Sequence, residues 1–511
     1  MFKNIEQKKS LFITSCIFTT VLYVITNGYR FSNPMFSGDS LLMIHQNDSA
    51  WQIALGRFVQ PFLVMLRGGI ALPFLISVLT VTWLSLSLYF LADYLKIKKY
   101  LSVAFVSAAM VCNATLLAAN ASFLQYTDFY AFALFLSVFG VWLLQKKKVI
   151  YVALGIMCLS LSLGIYQSYI CVAIALVMMY FLFKMLDNPT LTNTLKDLLK
   201  HFIAFALSAV IYLIVWKIFQ GIFDIWTSNS YNGMASLGDY SNDSIFAIIG
   251  ATYRLVAEHF MNPSTFTTMP FRGVSLSIVW LYILRFCNIV ILLVPTISLI
   301  RLNRQNKTNI WQKLLQIAII LFFPLGINFV CIMSKGMVHT LMIYAFCLVY
   351  VLAIIITEKD NTKKLSIPWL VTLSAVMIIS WSNIVYSNQV YQKKHFQEQA
   401  TLSLMTRIVY EIESADGYIA GVTPVAISGS FEETPYIDDI NAFEELVLHG
   451  MGKTSLTYSG TDYAFLNYIM NVNMNLTRIS DENETVKQMP LYPAPGSVAY
   501  VDGILVIKIS D

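Results

Sequence analysis

The sequence predicts a mainly α-helical protein, a polytopic bundle of about eleven transmembrane helices followed by a small C-terminal α/β domain outside the membrane. Of its 511 residues, 57% are hydrophobic and only 12% are charged, which is typical of an integral membrane protein. Windows of about 20 apolar residues, the length that crosses a bilayer, recur through most of the chain. They lie near 10–27, 70–93, 100–119, 127–144, 149–165, 168–186, 202–223, 275–299, 314–333, 340–357 and 366–386.

Basic residues predict the orientation of these spans. Lys and Arg accumulate in every second connection, and the positive-inside rule assigns those connections to the cytoplasm. The N-terminus is then cytoplasmic, and the first span is a retained anchor because it has no small-residue cleavage site. The net charge of +5 follows from this loop bias and does not suggest a nucleic-acid partner. The exported segments are 28–69, 120–126, 224–274, 334–339 and the tail from about 387.

Two domains are expected, a membrane domain over 1–386 and a soluble α/β domain over 387–511. Hydropathy drops at this boundary, and a tail of roughly 120 residues is long enough for a core of its own. Apolar residues recur at helical spacing from Tyr391 to Glu413. We expect this domain to shield or shape the entrance to a site at the outer face. Its predicted strands are Tyr418–Ser428 and Val498–Ile509, the second folded at the hairpin signal Asp502-Gly503.

The first exported loop, residues 28–69, carries the strongest candidates for chemistry. Apolar residues recur there at three- and four-residue spacing, so we expect short amphipathic helices on the membrane surface. Asp39 follows Gly38 at a turn into the first of these helices, and Asp48 precedes Trp51 in a similar position. Each carboxylate is a candidate catalytic group. The alternative is a helix cap, which we favour for Asp48.

Other polar residues lie at the same predicted face. Arg57 in the first exported loop either snorkels to the lipid headgroups or binds an anion. Lys335 is the only basic residue in its short exported loop, which favours a functional role. Asp128 is a further candidate for the catalytic carboxylate. The remaining candidates, all for substrate binding, are Trp51, Tyr126, Tyr166, Gln167, Arg254 and His339.

These residue types suit the transfer of a sugar from a polyprenyl phosphate. Such a donor already has an activated leaving group, so one carboxylate must deprotonate the acceptor hydroxyl and cations must stabilise the departing phosphate. A glycosidase would instead need two carboxylates at a fixed separation. Asp39 would be the base, and the aromatic and amide side chains would bind the sugar ring. The cation near the phosphate would be Arg57, Arg254 or Lys335.

Short motifs spread over most of the chain carry a resemblance to a known family. They are Ser37-Gly38-Asp39, Trp51, Gly56-Arg57-Phe58 with Pro61, Leu72-Pro73, Tyr126-x-Asp128, Gly164-x-Tyr166-Gln167, Asn388–Ala400, Arg407-Ile408 and Ile427-Ser428-Gly429. In these motifs the sequence resembles the bacterial type II Gtr glucosyltransferases, which include the phage enzymes that convert O-antigen serotypes.

The resemblance implies a GT-C fold and an inverting glucosyl transfer on the outer face of the bacterial plasma membrane. The implied donor is undecaprenyl phosphate-glucose, and the implied acceptor is a cell-surface glycan or a teichoic-acid-type polymer. The catalytic carboxylate maps onto Asp39. Similar proteins often have a paired Asp-Asp where this chain has Ser40 after Asp39. Asp48, Asp128 and a divalent cation, Mg²⁺ or Mn²⁺, are therefore candidates to complete the site, and no other cofactor is implied.

The resemblance also implies two functional partners, a polyprenyl phosphate-glucose synthase and a flippase that delivers the donor to the outer face. Two other functions share the predicted features. A transporter or flippase of lipid-linked sugars would place ionisable groups at the bilayer midplane and show repeat symmetry. Here Lys217 and Arg285 are the main charged residues inside spans, and the sequence has no internal repeat. A surface-polysaccharide polymerase would use a diphosphate-linked oligosaccharide donor, and the sequence does not distinguish this function from glucosyl transfer.

Overall fold

The computed structural model describes residues 2–36, 38–45, 49–225, 244–262, 278–360, 366–441, 446, 448, 450–480 and 482–511. The helices are α1 (Phe2–Ser32), α2 (Asp39–Leu42), α3 (Ser49–Ala54), α4 (Gln60–Leu66), α5 (Pro73–Leu95), α6 (Tyr100–Val111), α7 (Ala114–Ser122), α8 (Thr127–Leu144), α9 (Val149–Ile165), α10 (Ile170–Lys184), α11 (Leu191–Phe223), α12 (Ile245–Met261), α13 (Ile278–Gln305), α14 (Ile310–Ile327), α15 (Phe329–Met333), α16 (Leu348–Lys359), α17 (Ile367–Glu413), α18 (Thr461–Ala464) and α19 (Glu484–Gln488). The strands are β1 (Pro424–Ser428), β2 (Asn475–Leu476), β3 (Val498–Val501) and β4 (Ile504–Lys508).

Eight helical segments of the described chain are long and apolar enough to cross a membrane. They pack around one large apolar core to which most of the bundle contributes. Each lies on a window predicted from hydropathy, so the prediction of a membrane helical bundle is confirmed. The eight segments are Glu6–Ser32, Pro73–Leu95, Leu124–Leu144, Gln167–Asp187, Leu191–Phe223, Val279–Gln305, Ile310–Ile327 and Ile367–Glu413.

The other three predicted windows contain helices that are bent or short. Window 100–119 is divided into α6 and α7, which meet at 47°. Asn113 makes this break, because its side chain accepts a hydrogen bond from the Leu116 N–H at 3.0 Å and donates one to the Met110 carbonyl at 2.7 Å. Window 149–165 is the 17-residue α9, and window 340–357 holds two 3₁₀ turns and α16. The prediction of about eleven crossings therefore stays a prediction.

Residues 28–69, which we predict to be exported and continue to call the first exported loop, contain the short helices α2, α3 and α4. In α3 the side chains of Gln52, Ile53 and Ala54 are buried against the bundle. In α4 the apolar side chains of Met65 and Leu66 are exposed, at 69% and 80%. Exposed apolar residues of this kind suit a helix on a membrane surface, and the location of these helices on the membrane stays a prediction.

The C-terminal part contains a four-stranded sheet in the order β2-β1-β4-β3. β1 pairs in parallel with both β2 and β4, and β3 pairs with β4 as an antiparallel hairpin. Asp502 and Gly503 form its turn with φ values of 49° and 81°, as the sequence predicted. α17 runs without a break from the bundle into this domain, through the boundary expected at 386.

The C-terminal domain and the first exported loop share one apolar core. Phe36 and Leu41 from the loop are buried in the same cluster as Leu404 of α17, Val425 of β1 and Leu505 of β4. The backbone N–H of Gly38 donates to the Ser455 carbonyl at 3.3 Å. The chain therefore folds so that its last 100 residues or so cover the loop that carries Asp39.

Candidate functional site

Two of the short motifs, Gly56-Arg57-Phe58 and Gly164-x-Tyr166-Gln167, dock onto each other. The Val59 N–H donates to the Gly164 carbonyl at 3.0 Å, and the Gln60 side chain donates to the Ile165 carbonyl at 2.8 Å. The side chain of Gln167 donates to the Leu55 carbonyl at 2.7 Å and to the Tyr212 hydroxyl at 3.0 Å. These bonds fix the first exported loop on the end of α9, where the helix backbone leaves carbonyl groups unpaired.

The close approach of the two motifs requires glycine at two positions. Gly56 has a φ of 74°, and a Cβ there would overlap the Tyr212 hydroxyl and lie 2.9 Å from the Gln167 side-chain nitrogen. A Cβ at Gly164 would lie 2.6 Å from the Phe58 ring. A larger residue at either position would push the loop away from α9.

Arg57 is held at this junction by an aromatic ring. Its guanidinium carbon lies 4.9 Å from the ring centroid of Tyr166, a cation–π distance. The ring of Tyr130 lies 4.7 Å from the same Tyr166 ring, and the charge of Arg57 also acts on Asp39. The structure thus brings together three residues that the sequence placed far apart, Asp39, Arg57 and Tyr166.

Asp39 is the first residue of α2, and Gly38 occupies the N-cap position with no side-chain cap bond. The helix-capping alternative for Asp39 therefore does not describe this turn. Within the described residues the Asp39 carboxylate makes no hydrogen bond or ion pair, and it is partly buried. Burial raises the pKa of Asp39, while the nearby Arg57 cation lowers it. A partly buried carboxylate with free acceptor positions is suited to accept a proton.

Asp128, the other described candidate carboxylate, is engaged in a buried ion pair. Arg67 donates from Nη1 to Asp128 at 2.6 Å and from Nη2 to the Gln125 carbonyl at 2.8 Å. Both side chains are almost completely buried, at 2% and 4% exposure. The Arg67 guanidinium also lies 4.6 Å from the Phe129 ring centroid. Arg67, which we did not single out from the sequence, fastens α4 to the start of α8 through Asp128.

Tyrosine rings form a continuous row next to Arg57. Gln52 of α3 donates to the Tyr126 hydroxyl at 2.7 Å, which connects a second motif residue to the first exported loop. From Tyr126 the row continues through Tyr130 to Tyr166 and Tyr169, with centroid separations of 4.7 to 6.4 Å. All four rings are buried, with 2 to 6% of their surface exposed, so the row is part of the packed core of the bundle.

The structure says less about the two remaining candidates of the first exported loop, Trp51 and Asp48. The Trp51 side chain is 37% exposed on α3, next to the buried Gln52. Asp48 lies outside the described residues.

The predicted candidates Arg254, Lys335 and His339 lie on α12 and after α15. Arg254 and Glu258 form an exposed ion pair of 3.9 Å on α12, which contacts α15. Lys335 follows α15 with a φ of 53°, and His339 precedes a 3₁₀ turn. α15 also contacts the 3₁₀ turn Gln167–Tyr169. This set is therefore connected to the Arg57 junction through one intermediate element.

An apolar cavity of about 340 Å³ lies beside α12, at the depth of the membrane bundle. Its walls come from α10, α12, α13, α14 and α16 and contain almost no polar surface. Pro295 and Pro324 lie inside α13 and α14 and line the cavity. A hydrocarbon chain is the kind of ligand that such walls accept.

Few of the described side chains are placed to coordinate a divalent cation. Within the described residues no group of three or more His, Cys, Asp or Glu side chains converges, and Asp128 is already paired with Arg67. We therefore derive no catalytic step through a metal ion from this geometry.

Comparison with known proteins identifies the family. A family model described as glucosyl transferase GtrII matches residues 28–357, which is more than half of the chain. The matched segment contains Asp39, Arg57 and the Gly164-x-Tyr166-Gln167 motif, and it ends before α17. No curated protein and no solved structure matches the chain. The match thus covers the loop that carries Asp39 and most of the helix bundle, and the chain belongs to the GtrII glucosyl transferase family of glycosyltransferases.

Proposed function

We propose that this chain transfers a glucosyl group from a polyprenyl phosphate to a cell-surface glycan or a teichoic-acid-type polymer, with Asp39 as the general base. One observation carries the proposal. Asp39 is a partly buried carboxylate beside the Arg57 cation, at the boundary between an apolar helix bundle and a soluble domain. A lipid-borne donor and a water-soluble acceptor can meet only at such a boundary.

The chemistry follows from the donor. Asp39 removes the proton of an acceptor hydroxyl, and that oxygen attacks the anomeric carbon on the face opposite the phosphate. The bond between the anomeric carbon and the phosphate oxygen breaks, and its electron pair leaves with the phosphate, so the configuration is inverted. Arg57 supplies positive charge at this site, and its contact with Tyr166 holds it in place.

The lipid part of the donor suits the apolar cavity beside α12. The same helix contributes Tyr253, Val256 and Ala257 to the cavity wall and carries Arg254 at its exposed face. Arg254 lies at the middle of α12, on the helix that lines the cavity, and α12 contacts α15, which leads to Lys335, so a polyprenyl chain in the cavity would have both cations on neighbouring elements. We assign these two cations to the phosphate and Gln167 and Tyr126 to the glucosyl group.

The proposal includes the location of the reaction. We place the transfer on the outer face of the bacterial plasma membrane, with the N-terminus in the cytoplasm and the C-terminal domain outside. The donor then comes from a polyprenyl phosphate-glucose synthase through a flippase.

The test is transfer of radiolabelled glucose from synthetic polyprenyl phosphate-glucose by the purified full chain in lipid nanodiscs. Cell-wall polymer from the host is the acceptor. We expect Asp39→Asn to lower the transfer rate by about 10² to 10⁴, the usual contribution of a general base. Asp416→Asn, which changes an exposed acid in a turn of the C-terminal part, is the matched control and should transfer at the wild-type rate.

Three results would contradict the proposal. Transfer by Asp39→Asn at the rate of the control would remove Asp39 from the catalytic role. Absence of transfer by the wild type, together with movement of the lipid-linked sugar across proteoliposomes, would favour the flippase function. Retention of the donor's anomeric configuration in the product would exclude the single-displacement mechanism.

A further inference from the structure

The C-terminal domain contains a polar cavity of about 900 Å³, here called the domain cavity. It is distinct from the apolar cavity in the bundle and lies outside residues 28–357, the segment that matches the family. Its size is at the upper end of the range of about 300 to 1,000 Å³ for small-molecule sites. More than half of the surface that lines it is polar, and the lining residues come from the sheet and from segment 456–463.

The topology of the sheet explains why a cavity forms at this place. Three strands, β2, β1 and β4, run parallel and adjacent, so their carboxyl ends lie at the same edge. The residues that follow each of these strands line the cavity. They are Gly429 and Ser430 after β1, Arg478 and Ile479 after β2, and Ser510 and Asp511 after β4. Ligands of open α/β sheets bind at this edge because the connections diverge there.

The cavity lies directly behind the loop that carries Asp39. Its wall includes Thr457 and Tyr458, and a Cβ at Gly38 would lie only 2.7 Å from the Thr457 hydroxyl oxygen. α2, which begins at Asp39, also contacts α18, and α18 contributes Asp462 to the cavity. One segment of the C-terminal domain therefore contacts both the domain cavity and the helix of the proposed base.

The polar groups in the cavity suit sugar hydroxyls. Asp462 lies near Arg478, and the Arg478 guanidinium lies 5.9 Å from the ring centroid of Tyr463. A carboxylate and a guanidinium that line the same cavity can accept from and donate to hydroxyl groups of one sugar. Tyr458 is 44% exposed, which leaves part of its ring available for stacking on a sugar face.

The charge of the cavity argues against a polyanionic ligand. Among the described lining residues the acids are Glu433, Asp462, Glu482 and Asp511, and the bases are Arg478, Lys487 and Lys508. The acids outnumber the bases, and Lys508 is already paired with Asp511 at 2.9 Å. A polymer with one phosphate per repeat would need an excess of cations.

We propose that the domain cavity binds a neutral, hydroxyl-rich glycan segment of the acceptor and presents the next hydroxyl group to Asp39. This inference rests on the proposed function, and it selects a neutral glycan over a teichoic-acid-type polymer as the acceptor.

The test measures binding without any donor, so that it does not depend on transfer. The probes are neutral hexose oligosaccharides released from the host surface glycan and a fluorescently labelled polyglycerol phosphate. The protein is the full chain in nanodiscs. We expect the neutral oligosaccharides to bind, and we expect Asp462→Asn and Tyr458→Ala to weaken this binding by about tenfold or more. The matched controls are Asp416→Asn and Tyr500→Ala, since Tyr500 is similarly exposed, at 46%, and does not line the cavity.

Each outcome has a distinct meaning. If Asp462→Asn and Tyr458→Ala both bind the neutral oligosaccharides as tightly as the wild type does, the domain cavity is not the glycan site. Tighter binding of polyglycerol phosphate than of the neutral oligosaccharides would also overturn the inference. Tyr458 is on the surface, so Tyr458→Ala keeps the test valid even when Asp462→Asn fails to fold. Neutral-glycan binding with no glucosyl transfer by the wild type would leave this inference standing and overturn the proposed function instead.

Discussion

The guanidinium of Arg57 lies over the ring of Tyr166, with 4.9 Å between its central carbon and the ring centroid. The two residues belong to different motifs, one in the first exported loop and one at the end of α9. A ring face attracts a cation without neutralising it, so Arg57 can be fixed in place and still act on a neighbouring carboxylate. The positive charge of Arg57 lowers the pKa of Asp39, against the larger effect of burial, which raises it.

Arg57→Gln should shift the acidic limb of the pH–rate profile for transfer to higher pH. Asp39 acts as a base only when it is ionised, so the rate rises with pH as the solution passes through its pKa. Burial raises this pKa and Arg57 lowers it, and removal of the cation leaves burial unopposed. Arg57→Lys keeps the charge and is the control. An acidic limb that is the same in Arg57→Gln and in the wild type would refute the coupling.

Asp128→Asn should destabilise the membrane bundle by roughly 3 to 5 kcal/mol of unfolding free energy, because it leaves the buried Arg67 cation without its counter-charge. The double variant Arg67→Met/Asp128→Leu removes both charges and should recover most of the lost stability. Thermal unfolding of the purified protein in detergent checks both statements. If the single variant unfolds at the wild-type temperature, the ion pair does not fasten α4 to α8.

Gly56→Ala should abolish most of the transfer activity, whereas Gly68→Ala should retain it. Both glycines have positive φ, 74° and 78°, so both substitutions add backbone strain of about 1 kcal/mol. Only at Gly56 would the added Cβ overlap the Tyr212 hydroxyl, since nothing lies within 4 Å of the corresponding position at Gly68. Transfer rates of the two variants, compared at equal amounts of folded protein, separate strain from displacement of Arg57. Equal losses of transfer rate in the two variants would show that transfer tolerates a displacement of Arg57.

Ala257→Trp should impair the use of long-chain donors much more than that of short-chain donors. Ala257 lines the apolar cavity, and an indole there would occupy space that we assign to the polyprenyl chain. The measurement compares KM for an undecaprenyl donor and for a short prenyl donor with the same sugar. Ala206→Trp, on an exposed part of α11, is the control. A KM ratio that does not change in Ala257→Trp would place the lipid elsewhere.

The fold was predictable from the sequence wherever local pattern determines structure. Apolar windows located the membrane helices because a bilayer-spanning segment must be apolar along its length. Helical periodicity located the extension of α17 beyond the bundle, and Asp502-Gly503 located the hairpin because these residues tolerate positive φ. The two-residue strand β2 has no such pattern, and its parallel pairing with β1 depends on residues distant in the chain.

The residues of the candidate site were predictable from the sequence, but the contacts between them were not. Asp39, Arg57 and Tyr166 were all selected from the sequence, but no local pattern shows that Arg57 lies over Tyr166 or acts on Asp39. Arg67 was missed because an arginine at the end of an apolar segment also has a simple explanation, snorkelling to the headgroups. Its partner Asp128 is 61 residues away in the sequence, and only the tertiary structure pairs them.

The continuous helix α17 limits which insertions this chain can accept during evolution. The helix is 47 residues long, which corresponds to about 70 Å, and it joins the bundle rigidly to the C-terminal domain. Inserting a single residue between the two would rotate the domain by about 100° around the helix axis and advance it by about 1.5 Å. The domain could then no longer dock on Gly38. An insertion of about seven residues, or two turns, would nearly restore the rotation but would advance the domain by about 10.5 Å, so the docking on Gly38 fixes the length of α17 as well as its rotational phase.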